Sequence, residues 1–182
     1  MNRKKLKYFL LWYGIIALFV LLDQIVKYLT VRHLTGSLPL IDGALHLTYV
    51  ENRGAAFGIL SDHRWVYMTV SSVSTVLLSY VLYRFALHDK LFCISLSMII
   101  GGGLGNMVDR VFRGFVVDMI DVRLINFAVF NVADSFICVG AALMMIYLIF
   151  FDKTILREQV PIEKKAYEPE KDTAQTPEND AE

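Results

Sequence analysis

Cysteine is nearly absent: Cys93 and Cys138 are the only two in 182 residues, each inside an apolar run. A disulfide framework is thereby excluded, and neither thiol has the spacing of a metal or redox site, so both read as small buried hydrophobes. Histidine is equally sparse. His33, His46, His63 and His88 stand apart, with no His-x-x-x-His or Cys-x-x-Cys spacing, so no metal is expected. Net charge is lacking as well, since 18 Lys and Arg balance 18 Asp and Glu. Nothing in the composition points to nucleic acid, a nucleotide or an organic cofactor. The zero is an average over unlike regions, because nine of the 18 acids lie beyond Phe151.

What the chain has in abundance is apolar length. With 55% hydrophobic residues and a mean hydropathy of +0.48, it reads as a protein solvated largely by lipid. The first apolar run, residues 9–29, follows Asn2-Arg3-Lys4-Lys5-Leu6-Lys7. It is longer than a signal-peptide core and has no small-x-small cleavage site after it, so it is expected to be retained. Runs at 65–85, 91 to about 107, and about 132–151 follow, each close to the length needed to cross the hydrocarbon. The third contains Gly101, Gly102, Gly103 and Gly105, poor helix formers in water but frequent sites of close helix approach in membranes. The expected fold is an all-α membrane protein of four transmembrane helices. Cations before the first helix, at Arg84 and Lys90, and at Lys153 and Arg157 place both termini in the cytoplasm by the positive-inside rule. The connections 30–64 and 108–131 then face outward.

Within the first outer connection, Leu38-Pro39-Leu40-Ile41 and the alternating Ala44-Leu45-His46-Leu47-Thr48-Tyr49-Val50 flank Asp42-Gly43, which predicts a small extracytoplasmic hairpin or sheet. Gly54 to Leu60 is apolar but too short to span and reads as an interfacial half-helix or loop. The membrane domain therefore covers 1–153, and the charged segment 154–182 reads as a disordered cytoplasmic tail.

Several ionisable groups in this apolar setting need a reason. Asp23 and Lys27 lie four apart on one face of the first helix, and each would cost roughly 2.5–3.5 kcal/mol unpaired at mid-membrane, so they are expected to face protein as an ion pair or as part of a site. Asn106, Asp109 and Arg110 end the third helix at the same level, with Asp109 and the adjacent Arg110 a candidate interfacial ion pair. Asp118 follows the apolar Phe115-Val116-Val117, where a carboxylate is costly unless used. Asp134, in Phe130-Asn131-Val132-Ala133-Asp134-Ser135, can serve as an N-cap or first-turn residue of the fourth helix.

Two carboxylates held close in a poorly solvated site cannot both ionise easily, so one keeps a proton while the other acts as a base. Such a pair can activate water against a peptide carbonyl without serine, cysteine or metal, and Asn106, Asn131 and Arg110 could hydrogen-bond backbone or developing charge. A small proton-coupled membrane transporter is the alternative, with Asp23, Lys27, Asp109 and Asp134 as a relay. It requires charge at several depths, whereas no ionisable residue falls deep in helices two to four.

Leu22-Asp23-Gln24 with Lys27, Asn52-Arg53-Gly54-Ala55-Ala56-Phe57-Gly58, Gly105-Asn106 with Asp109-Arg110, Val116-Val117-Asp118, and Phe130-Asn131-Val132-Ala133-Asp134-Ser135 together resemble the lipoprotein signal peptidase (signal peptidase II) family over about residues 8–151. The resemblance implies a bacterial inner-membrane aspartic endopeptidase that removes prolipoprotein signal peptides, cutting before a diacylglyceryl-modified cysteine. Asp118 and Asp134 match the family's catalytic pair. Asn52, Gly54, Asn106, Arg110 and Asn131 match residues that line or order the substrate site, and Asp23 and Lys27 match a supporting pair. It also implies inhibition by the cyclic peptide globomycin. Asp121, close to Asp118, is an extra acid without a matching role, and a monomer is expected.

Overall fold

In a computed structural model, residues 3–54 and 64–151 are described; the interfacial stretch anticipated after Gly54 and the tail lie outside them. Four helices, α1 (Arg3–His33), α2 (Arg64–Arg84), α3 (Lys90–Phe112) and α4 (Val132–Phe150), are long and apolar enough to cross a membrane. The apolar run fades near Met107, and Asn106, Asp109 and Arg110 are expected at the helix end; the helix runs slightly further, through Phe112. Its final turns are polar because Asn106 and Asp109 are buried against protein, not because the helix stops there.

α3 is the central helix: half of its apolar stretch is buried, against 6% of that in α2. The glycines explain how neighbours come so close. A Cβ on Gly101 would lie 2.8 Å from Phe19 Cβ of α1, and one on Gly102 would run into the Ala133 carbonyl of α4. On α4, a Cβ at Gly140 would lie 2.9 Å from the Ser95 carbonyl oxygen of α3. At the α2–α3 end, Trp12, Ile16, Leu82, Ala86, Cys93, Leu96 and Ile100 form the apolar core, and Trp12 Nε1 donates to Ala86 O at 3.0 Å.

The opposite end carries an antiparallel sheet of β1 (Ser37–Ile41), β2 (Leu45–Asn52) and β3 (Val116–Val122) in that order. The anticipated hairpin is β1–β2, with Gly43 at φ 70° in the turn, where a side chain would be strained. β3 was not anticipated. Two features of this sheet build the site. First, a bulge in β2 between Leu47 and Val50 shifts the pairing from Leu47↔Ile120 to Val50↔Asp118 and Asn52↔Val116. Were the strand paired regularly from Leu47 onward, Asn52 would fall on the face of His46 and Thr48; with the bulge, Asn52 shares the face of Asp118. Second, Phe130 pairs back onto β3 through Met119 N→O 3.0 Å, Ile120 N→O 2.8 Å and its own N to Ile120 O at 3.1 Å. That return carries the start of α4 to the strand bearing Asp118.

Candidate active site

Asp118, Asp134, Asp23, Lys27, Asn52, Gly54, Asn106, Asp109, Arg110 and Asn131 converge on one hydrogen-bonded network at the junction of the sheet with α1, α3 and α4. Its base is a buried charge cluster. Lys27 Nζ reaches Asp23 Oδ2 at 2.9 Å, Asp109 Oδ2 at 3.0 Å and Asn106 Oδ1 at 2.9 Å, and Asp23, Lys27 and Asp109 are all fully buried. The three donors of the ammonium are thereby used. Asp109 pairs with Lys27 and with Arg113 (3.2 Å), not with adjacent Arg110, because consecutive helical residues point in different directions. Its Oδ2 also accepts from Val117 N at 3.1 Å, tying α3 to β3, while Asp23 Oδ1 accepts from Ala133 N at 3.0 Å, tying α1 to α4.

The amide orientations follow from the groups behind them. Lys27 can only donate, so Asn106 must turn Oδ1 toward it and Nδ2 toward Asp134 Oδ1, at 2.7 Å. The Asp134 N–H donates to Asn131 Oδ1 at 2.9 Å, which directs Asn131 Nδ2 to Asp118 Oδ1 at 2.6 Å and Asn106 Oδ1 at 3.1 Å. Gly54 N donates to Asn52 Oδ1 at 3.0 Å, so Asn52 Nδ2 points to Asp118 Oδ2, at 2.9 Å. Two carboxylates are thus joined through two asparagine amides, each locked by an unambiguous donor. Asn131 is also the N-cap of α4, and Asp134 Oδ2 completes a capping box by accepting from Asn131 N at 3.2 Å. The first-turn role anticipated for Asp134 therefore uses one of its oxygens and leaves the other to the network.

Asp118 is 1% exposed, and burial pushes its carboxyl up to about 6; the Asn52 and Asn131 hydrogen bonds oppose the rise, while the charge of Asp134 adds to it. Asp121 lies three residues along the strand, hence on the other face. There it binds Thr48 Oγ1 and Arg123 Nε, both at 2.9 Å, and the arginine holds its carboxyl below the usual range.

A cleft of about 520 Å³ opens onto this network, lined by Asn52, Asn106, Arg110, Asp134 and an apolar wall that includes Val116, Phe127 and Phe130. That volume suits an extended peptide or lipid-sized group. Cys138 is exposed and lines the cleft, contrary to its expected burial, whereas Cys93 is buried. Sequence reasoning also missed three residues of the surroundings. Gln24 Nε2 donates to Asp23 Oδ2 and Gly105 O, both at 3.1 Å; Arg113 would have been visible had α3 been extended; Tyr67 of α2 carried no signal.

Four apolar helices bearing a small sheet, with acid and amide side chains gathered beside an apolar cleft, are the architecture of a multi-pass membrane protein whose candidate site lies at one end of the helix bundle. Two solved structures share this architecture, each described as a bacterial membrane enzyme structure determined by the in meso method. The one at 2.3 Å resolution superposes with TM-score 0.73 at 29% identity, covering 84% of this chain and 94% of that one. The one at 1.9 Å has TM-score 0.66 at 31% identity, covering 77% and 93%. A family model described as signal peptidase (SPase) II matches residues 15–150. The lipoprotein signal peptidase of Halalkalibacterium halodurans is 38% identical over 154 residues, which span 82% of this chain and 99% of that protein. The chain belongs to the signal peptidase II family. It is accordingly a protease of the bacterial membrane that removes signal peptides from lipoproteins.

Proposed function

We propose that the chain is an aspartic endopeptidase in which Asp118 and Asp134 activate water to cut a prolipoprotein just before its diacylglyceryl-modified cysteine. The observation that carries this reading is the two-amide bridge, Asp118–Asn131–Asn106–Asp134, which joins the two acids beside a cleft large enough for a peptide. Asp134, which lines the cleft, takes a proton from water as its oxygen attacks the scissile carbonyl carbon. Asp118, whose carboxyl is pushed up to about 6, donates its proton to the carbonyl oxygen. On collapse the C–N bond breaks, Asp134 returns its proton to the leaving amine, and Asp118 recovers one from the diol. Asn52 and Arg110 line the same cleft and are placed to hydrogen-bond the substrate backbone and the developing oxyanion.

The sheet end faces outward with both termini in the cytoplasm, so the site meets a substrate that its own lipid confines to the outer leaflet. The working unit is a monomer, and a globomycin-type cyclic peptide would occupy the cleft in competition with substrate. The test is cleavage of a diacylglyceryl-cysteine prolipoprotein by purified protein in detergent. Asp118→Asn and Asp134→Asn should each remove nearly all activity, beyond the roughly 10²- to 10⁴-fold typical of a lone acid–base group, while Asp121→Asn stays active. An active Asp118→Asn enzyme alongside a dead Asp121→Asn would overturn the assignment.

A further inference from the structure

Among the described residues, Arg110 is the cation that lines the cleft beside Asp134. Lys27 spends its donors on Asp23, Asp109 and Asn106, and Arg113 pairs with Asp109. Arg110 lines the cleft, yet among the described residues it makes no ion pair within 4.0 Å; its Nη1 lies 3.4 Å from Asn106 O. The charged and titratable groups around it are Asp134 on α4, Asp118 on β3, Asp109 on its own helix and Tyr67 on α2. Its guanidinium stands 5.2 Å from the centre of the Tyr67 ring, in cation–π range. Tyr67 thus brings sparsely packed α2 to the cation beside the acids; further along, α2 also meets α3 through Ser72 Oγ and Met107 Sδ at 3.9 Å.

An arginine that feels the charge of two carboxylates would ordinarily pair with them, because a charge-assisted hydrogen bond is stronger than a ring contact. Collapse would favour the fully ionised pair and leave no acid to protonate the carbonyl oxygen. Something must hold the guanidinium back.

We propose that Tyr67 is a positioning residue for the peptidase reaction, its ring seating Arg110 clear of Asp118 and Asp134 so that the cation stays available to substrate and the acids keep one proton between them. This rests on the dyad reading above. The contact with Arg110 is made by the face of the ring, which Tyr67→Phe keeps and Tyr67→Ala removes, so the Phe variant should retain the seat that the Ala variant loses. Because α2 is so little buried, loss of this ring should not unfold the chain.

The experiment uses full-length protein in detergent with two readouts. In the first, kcat/KM for a diacylglyceryl-cysteine prolipoprotein is measured across pH for wild type, Tyr67→Phe and Tyr67→Ala. Tyr67→Ala should lose ~tenfold at neutral pH. The limb of its profile that requires a protonated carboxyl should move roughly one pH unit toward acid. In the second, the Asp118 carboxyl is titrated by difference infrared spectroscopy, with Asp118→Asn identifying the band. Its midpoint should fall in Tyr67→Ala and not in Tyr67→Phe. A uniform loss at every pH with an unmoved Asp118 band, or equal damage from Phe and Ala, overturns the proposal. If wild type cuts no lipidated precursor, the peptidase reading fails, and the infrared titration still decides whether Tyr67 governs Arg110.

Discussion

Lys27→Met tests whether the charge cluster below the acids holds the site together. The ammonium makes contacts of 2.9, 3.0 and 2.9 Å to Asp23, Asp109 and Asn106, and both carboxylates are fully buried. Methionine fills similar space but supplies no charge. Asp109 would keep Arg113, and Asp23 only Gln24 and the Ala133 N–H, so one buried carboxylate is left without its cation. Breaking a buried pair in this way costs about 3–5 kcal/mol. At 1.4 kcal/mol per tenfold, the unfolding equilibrium should shift by roughly two to three and a half decades. Unfolding in mixed micelles with increasing SDS reads this directly. Neutralising the acids as well, in Asp23→Asn/Lys27→Met/Asp109→Asn, should recover more than half of the loss, since no uncompensated charge remains. Activity of the folded fraction should still fall, because Asn106 no longer has a donor forcing its amide toward Asp134. A Lys27→Met protein as stable as wild type to within about 1 kcal/mol would refute the reasoning.

Three further outcomes follow from the same geometry. Asp118 titrates near 6 in the fold against 3.8 for the free group, so the folded state binds its proton more tightly. Its contribution is complete below about pH 4 and disappears as pH rises past 6; the full difference corresponds to roughly 3 kcal/mol, and stability measured from pH 4 to 8 should lose that component in Asp118→Asn. Gly105→Ala would set a methyl group 2.6 Å from Asp23 Oδ2, in a carboxylate that Lys27 holds at Oδ2 and the Ala133 N–H at Oδ1, and should cost about 1–3 kcal/mol in the same SDS assay with a matching loss of cleavage. Deleting Thr48 removes the bulge but keeps Val50↔Asp118 and Asn52↔Val116 in register, so Asn52 should still face Asp118 and cleavage should stay well above that of Asn52→Ala; a deletion as inactive as Asn52→Ala would show that the bulge itself is needed to aim Asn52.

The four helices were legible because each is a sustained apolar run, and the hairpin because Asp42-Gly43 separates two short apolar segments. The polar end of α3 was legible, but the partners of its side chains were not. Asn106, Asp109 and Arg110 look like a helix leaving the membrane, but the first two are buried and matched by Lys27 and by Asn131, partners on other helices. β3 was hidden because it carries an aspartate on each face, and only the pairing with β2 shows that Asp118 turns inward while Asp121 meets Thr48 and Arg123. The acids, Lys27 and their polar neighbours could be nominated from their chemical cost in an apolar chain, and Asn52 and Gly54 only from the family resemblance, yet the contacts that join them could not. Those depend on the Phe130 return to β3 and on the β2 bulge, both set by backbone pairing over long sequence separations.

The central claim is that Asp118 and Asp134 act as one unit on one water. Its most direct test is a double-mutant cycle in purified protein, measuring kcat/KM on a diacylglyceryl-cysteine prolipoprotein for Asp118→Asn, Asp134→Asn and the double variant. If the acids share the work, the double variant falls no further than either single one. Losses that multiply, or a single variant that keeps substantial activity, would contradict the account.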